Sequence, residues 1–351
     1  MNILLTGGTG YVGSHCAALL LQAGYRVTLL DNLSNSSSAV VTKLRRLYPL
    51  QADQLQFVLA DLNDAAALTE VFASQRFDAV LHCAGLKAVG ESWQLPLAYY
   101  QTNVAGTLHL LRLMQQYQVY CLLFSSSATV YAAPPSNAQE QPFTEHSPCA
   151  PQNPYGRSKY MVEQILQDWA QAHPQLSLVL LRYFNPAGAH HSGLLGEAPN
   201  GIPNNLLPFV AQVASGQRSA VQVFGADYPT ADGTGVRDYI HIEDLAEGHL
   251  LALQHHAQTP GLHLYNLGRG HGYSVLQVIA AFQRSCGRTL ARQITGRRPG
   301  DATSSVACVD KARRQLGFVA RRDLQQMTDD AWRWQQQWQA ETATEATDEA
   351  V

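Results

Sequence analysis

Long apolar runs, a basic surplus and paired cysteines are all missing from this sequence, and each absence removes a class of function. No stretch approaches the roughly 20 consecutive apolar residues of a membrane-spanning helix, so membrane insertion is not expected. Charged residues make up only 15% of the chain and the formal net charge is -3, which provides no positive field for a nucleic-acid backbone. The six cysteines (Cys16, Cys83, Cys121, Cys149, Cys286 and Cys308) are scattered, without a CxxC pair or a histidine at zinc-ligand spacing. They read as free thiols of a reducing cytosol. The start, MNILLTGGTG, carries no basic leader ahead of its first apolar strand, so a cytoplasmic location is expected. His190-His191 and His255-His256 have no cysteine or acidic cluster to complete a site, and no metal is expected.

What is present is the material for a large core. With 351 residues and 46% hydrophobic content, the chain is longer than one core of typical size organises, which points to two domains. Its first half alternates short apolar strands (NILLT, RVTLLD, QFVLAD, DAVLHCAG, YCLLFSSS) with helical runs such as SHCAALLLQAG and NVAGTLHLLRLMQQY. This βαβ rhythm predicts an α/β fold with a parallel sheet and helices on both faces. After SLVLLRYFNPAG the texture changes, and glycine, proline and asparagine crowd HHSGLLGEAPNGIPNNLLPF. The expected division is a dinucleotide domain over 1–185 and a smaller mixed α/β substrate domain over 186–338, with some segments returning to the first domain. The acidic, small-residue end, 339–351, is expected to fray.

GGTGYVG, residues 7 to 13, lies directly between a strand and a helix. Gly7, Gly10 and Gly13 permit a tight turn, close approach of backbone to a pyrophosphate and close packing of helix on sheet. Asp31 closes the second strand, where a carboxylate accepts from the adenosine ribose hydroxyls and repels a 2′-phosphate. The sheet is therefore predicted to be a doubly wound, Rossmann-type one that binds NAD rather than NADP. Asp61-Leu62, Cys83-Ala84-Gly85-Leu86-Lys87 and Ser125-Ser126-Ser127 end later strands, at the crevice where such sheets bind ligands.

PYGRSK, residues 154 to 159, opens a helix that Asn153 can cap and Pro154 can start. Tyr155 and Lys159, four apart, share a face. With Ser127 they supply a hydroxyl, a phenol and an ammonium, the groups that reversible oxidation of an alcohol requires. Lowering a phenol from a pKa of ~10 to ~7 takes roughly 4 kcal/mol, which Lys159 and a positive nicotinamide are expected to supply together.

Together, GGTGYVGSH, DNLSNS, AGLKAVGES, FSSSATVY, PYGRSK, LRYFNPAGAH, GIPNNLLP, DGTGVRDYIH, YNLGRG and RRPGD resemble the extended short-chain dehydrogenase/reductase family, and within it the sugar-nucleotide epimerases, over nearly the whole chain. YxxxK and the glycine turn are shared by many relatives, whereas AGLKAVGES, SSSATVY and GTGVRDYIHxxDLA discriminate more finely. The dehydratases of the family carry an acid after the strand-end serine or threonine, where this chain has Ala128 and Thr129.

The resemblance implies interconversion of UDP-galactose and UDP-glucose through a transient 4-keto sugar and NADH, with NAD tightly bound, Tyr155 as base, and Lys159 and Ser127 assisting. It implies NAD contacts at Tyr11, Val12, Asp31, Asn32, Asn35, Ser36, Asp61, Leu62, Cys83, Ala84, Gly85, Lys87, Thr102, Ser127, Tyr155, Lys159 and Phe184. UDP-sugar contacts are implied at Lys87, Ser127, Tyr155, Asn185, Asn205, Gln222, Val223, Phe224, Arg237, Arg298 and Asp301. Cys83, Thr102 and Gln222 depart from the family's aromatic, asparagine and small residue. A small residue, Ser305, stands where a tyrosine would fill the space beside the sugar C2 substituent, which implies acceptance of UDP-GlcNAc and UDP-GalNAc as well. Other enzymes of the fold (a uronic-acid epimerase, a decarboxylase, a net dehydrogenase) and a non-catalytic NAD sensor are the alternatives. A homodimer is expected through helices around 103 to 117 and 155 to 171, whose Leu108, Leu111, Met114, Met161, Ile165 and Trp169 exceed what one sheet face buries.

Overall fold

Leucine-rich and β-branched runs between glycine turns form the strands, as their composition dictates. The computed structural model describes residues 1–133, 141–298 and 302–348. The first half supplies β1 (Asn2–Thr6), β2 (Arg26–Asp31), β3 (Leu55–Leu59), β4 (Ala79–His82), β5 (Cys121–Ser127) and β6 (Ser177–Tyr183). Downstream come β7 (Asn185–Ala187), β8 (Val221–Phe224), β9 (Val236–His241), β10 (Gly261–Leu267), β11 (Gly272–Ser274), β12 (Arg292–Thr295) and β13 (Ser304–Ser305). The main sheet is parallel throughout, in the order β10-β6-β5-β4-β1-β2-β3. Strand order reverses between β1 and β4, and the crevice outside their carboxyl ends is where such a sheet holds its ligand.

Both faces of this sheet are covered, which is why its strands are apolar without alternation. Ile3, Leu5, Leu123, Val179 and Leu181 face one core, built with the helices Tyr11–Gln22 and Ile242–His256. Leu4, Leu122, Phe124, Leu178 and Leu180 face the other, built with the helices Ala65–Ser74, Gly106–Gln116 and Pro154–Ala172. Residues 242–267 thus belong with the first sheet although they lie far beyond residue 185. A separate core joins Val221, Val223 and Tyr239 to the helices Leu206–Ala214 and Val275–Cys286 and to the start of the helix Leu324–Asp348. That last helix runs on into the segment expected to fray, where Lys43 Nζ lies 2.5 Å from Glu341 Oε2. Alanine and glutamate there are good helix formers.

β9 is the hub of the smaller region. It pairs with β7, β11 and β13, while β8 pairs with β12. Among the described residues, no helix is long and apolar enough to cross a membrane. Leu111 and Met114 prove to be buried inside the chain and Leu108, Ile165 and Trp169 partly so, which leaves Met161 as the exposed member of the set expected at a dimer interface.

Candidate active site

The glycine turn after β1 is shaped by contacts that no side chain permits. Gly7 has φ +67, and a Cβ there would lie 2.7 Å from the Ala84 backbone nitrogen; one at Gly13 would lie 2.1 Å from the Gly7 carbonyl oxygen. The helix Tyr11–Gln22 begins at Gly10 without a side-chain cap, which leaves first-turn N–H groups for a phosphate. Asp31, at the end of β2, accepts from the Thr9 and Leu33 backbone N–H groups at 3.1 and 2.9 Å and from the Ser36 hydroxyl at 3.0 Å. Asn32 donates to Asp61 at 2.6 Å, and Asn35 accepts from the Asn200 N–H at 3.1 Å. Leu62 packs under the helix Gly106–Gln116 and Val12 against the first core. A cradle that a methyl group would fill, a bare helix N-terminus and a strand-end carboxylate together fit a dinucleotide.

The helix Pro154–Ala172 carries Tyr155 and Lys159 at its start. Asn153 caps it, its side-chain oxygen accepting from the Gly156 N–H at 2.8 Å, with Pro154 in the first turn. Gly156 lets this end approach the turn after β5, since a Cβ there would lie 2.6 Å from the Thr129 carbonyl oxygen. Tyr155 is thereby brought into hydrogen-bonding reach of Ser127. Burial raises the Tyr155 phenol above its ordinary pKa and the Ser127 hydroxyl lowers it. Lys159 is buried and donates to the Ser125 carbonyl at 2.8 Å, and its ammonium lies 4.9 Å from the Phe124 ring centroid. Desolvation brings its pKa down to about 8, against the negative charge of Cys83, which favours the ammonium.

Several positioning residues carry no sequence motif. Asn103 sits in a π-helical turn, Gln101–Ala105, beside Thr102. Its side chain accepts from the Leu86 N–H at 2.8 Å and donates to the Leu86 carbonyl at 3.0 Å and to Ser158 at 2.9 Å, fixing the Gly85-Leu86 segment. Glu163, one turn beyond Lys159, is buried against Arg182 at 2.6 Å and accepts from Ser126 at 2.5 Å, which locks the helix on β5 and β6. Glu197 gathers Lys87 at 2.7 Å and Asn205 at 2.8 Å, and Lys87 lies 5.9 Å from the Tyr11 ring centroid. A glutamate far along a loop offers no sequence signal for this.

On the smaller region, Asn185 in β7 pairs with Tyr239, and Arg237 in β9 stands in register with Ser305 in β13. Arg298 lies 3.7 Å from the ring centroid of Phe224, at the end of the Gln222-Val223-Phe224 strand. Phe184 is buried beside Tyr131 and Ala307, between the two regions. Asp301 lies outside the described residues. The histidine pair at 190 and 191 does have an acidic neighbour, contrary to expectation. Glu243, on the helix 242–256, bonds His191 Nδ1 at 2.7 Å, a contact that folding creates across 52 residues.

Residues 3–268 match the model of the NAD dependent epimerase/dehydratase family. The chain is 52% identical over 336 residues to a UDP-glucose 4-epimerase of Yersinia pestis, covering 95% of this chain and 97% of that protein. It is 51% identical over 335 residues to one of Bacillus subtilis (strain 168), with 95% and 97% covered. The crystal structure of UDP-glucose 4-epimerase from Bifidobacterium longum in complex with NAD+ and UDP superposes with a TM-score of 0.91 at 46% identity, covering 96% of this chain and 98% of that one.

Proposed function

The chain belongs to the NAD dependent epimerase/dehydratase family, and on that premise we propose that it is an isomerase interconverting UDP-glucose and UDP-galactose at C4, with NAD as its cofactor. One observation of geometry carries the reading. Tyr155 and Lys159, at the head of one helix, reach the end of β5, Tyr155 to the Ser127 hydroxyl and Lys159 to the Ser125 carbonyl. When bound, NAD supplies an acceptor and donor of hydride for the sugar C4. The chain's own groups handle the proton. Tyr155 takes it from the 4-hydroxyl and returns it, Ser127 bridges phenol and sugar, and Lys159 supplies positive charge from a buried position. Gly7, Gly10, Gly13 and Asp31 hold the dinucleotide, and Arg237 and Arg298 hold the diphosphate, a geometry that guanidinium favours. Ala128 and Thr129 provide no carboxylate for β-elimination, which separates the site from a dehydratase.

Purified protein given UDP-galactose without added NAD is expected to yield UDP-glucose. Tyr155→Phe, folded and loaded with NAD, is expected to lose at least about 100-fold in kcat. Net NADH accumulation, or unchanged turnover in Tyr155→Phe, overturns the reading.

A second reading concerns breadth. Ser305, half-buried in register with Arg237, favours acceptance of N-acetylated sugars, because serine leaves the room a phenol would fill. Turnover of UDP-GalNAc, lost selectively in Ser305→Tyr, is the expected result. We further propose a homodimer. Trp93, Leu97 and Met161, exposed by 57%, 81% and 42%, lie on adjoining helices, and an apolar patch of that kind favours a partner surface. A monomeric mass by light scattering contradicts it. Six cysteines without a disulfide fit the cytoplasm, tested by localising a tagged chain.

A further inference from the structure

Two thiols and an imidazole without a part in the proton transfer meet near Ser125, whose carbonyl accepts from Lys159. Cys16 lies on the helix 11–22, Cys83 directly after β4 and His249 on the helix 242–256, and their donor atoms all lie within 4.8 Å of one another. Cys16 and His249 are buried, while Cys83 is half-buried at the crevice and offers an entry path. His249 Nδ1 lies 2.9 Å from the Leu245 carbonyl, which can only accept, so the ring proton is on Nδ1 and the lone pair on Nε2. Nε2 faces the Tyr183 hydroxyl and Cys83. An imidazole fixed by a carbonyl on its far nitrogen is the usual outer support of a metal-ligating histidine. The Tyr183 oxygen is 2.5 Å from Ser125 Oγ, and that hydroxyl donates to Cys83 Sγ at 3.2 Å.

We propose that Cys16 Sγ, Cys83 Sγ and His249 Nε2 form a site for a thiophilic divalent cation, zinc or cadmium, with the Tyr183 oxygen as fourth donor. Two sulfurs and a nitrogen from separate parts of the chain are the soft and borderline donors these d10 ions prefer. Binding releases the thiol protons as the two sulfurs join the metal.

The site touches catalysis through Ser125, whose carbonyl accepts from Lys159 and whose hydroxyl donates to Cys83 Sγ. A cation on Cys83 Sγ displaces that hydroxyl and shifts the residue that holds Lys159, so occupancy inhibits.

The test is to titrate the holoenzyme with cadmium at equilibrium, reading thiolate-to-cadmium ultraviolet absorbance and epimerase activity together. One cadmium per chain with the absorbance of two thiolates is expected, with activity falling in step and a chelator reversing both. Cys16→Ser, outside the cofactor and sugar contacts, is expected to keep basal activity, bind cadmium at least about tenfold more weakly and resist inhibition. Cys16→Ala serves equally should a buried serine unfold the chain, and Cys121→Ser is expected to titrate as wild type. Both Cys16 variants titrating as wild type, or a wild-type chain without the two-thiolate absorbance, overturns the proposal. The absorbance decides even if the chain proves to have no epimerase activity.

Discussion

Replacing Gly13 by alanine sets two effects of known sign against each other. Gly13 lies in the helix 11–22, so alanine is favoured there by about 1 kcal/mol of helix propensity. Opposing this, the new Cβ would lie 2.1 Å from the Gly7 carbonyl oxygen and 2.9 Å from the Gly7 carbonyl carbon and Gly8 Cα. All three are backbone atoms, so no side chain can rotate away, and the turn must open by roughly 1 Å to restore ordinary contact. Gly7 itself is held by its N–H to the Leu30 carbonyl at 2.8 Å and by contact with Ala84, so the opening strains β2 and the end of β4 as well. Overpacking of this kind costs ~1–3 kcal/mol, and the backbone setting puts it at the upper end. Strain wins, and it falls on the surface that faces the pyrophosphate. NAD affinity is expected to drop by about 10- to 100-fold, as 1.4 kcal/mol per decade requires. The assay is the NAD content of the purified chain, with thermal unfolding alongside. Gly90→Ala is the control, because a Cβ at Gly90 meets nothing within 4 Å. If Gly13→Ala kept full NAD and its melting temperature while Gly90→Ala behaved the same, the close-approach argument would be refuted.

Other outcomes follow from buried polar contacts. Glu163→Gln leaves the Arg182 guanidinium, 4% exposed, without its countercharge and is expected to destabilise by ~3–5 kcal/mol in urea unfolding; a loss under about 1 kcal/mol contradicts it. Asn103→Ala frees both backbone groups of Leu86 and is expected to cost about 2 kcal/mol and lower NAD occupancy, whereas unchanged occupancy refutes its positioning role. His15 and His82 are buried, and desolvation lowers each to about 3. Since the folded pKa lies below the unfolded value of 6.5, the unfolded chain binds more protons between those limits. Stability is then lost as pH falls below about 6.5, by up to ~1.4 kcal/mol per pH unit for each histidine, and a flat melting profile from about pH 7 to about pH 5 argues against it.

The sequence by itself determined the parallel sheet, the glycine turn with Asp31, the capped helix carrying Tyr155 and Lys159, and the absence of an acid after Ser127. Each is a local signal, in which hydrophobic period, a cap residue or a glycine acts within a few residues of its neighbours. Tertiary structure alone decided the rest. That β10 rejoins the first sheet, that Glu197 reaches Lys87, that Glu243 reaches His191, and that Cys16, Cys83 and His249 share one space are pairings between distant segments. No spacing rule encodes them. They exist because strand order and helix packing fix which chain segments meet, and because buried polar groups must then find partners wherever those segments bring them.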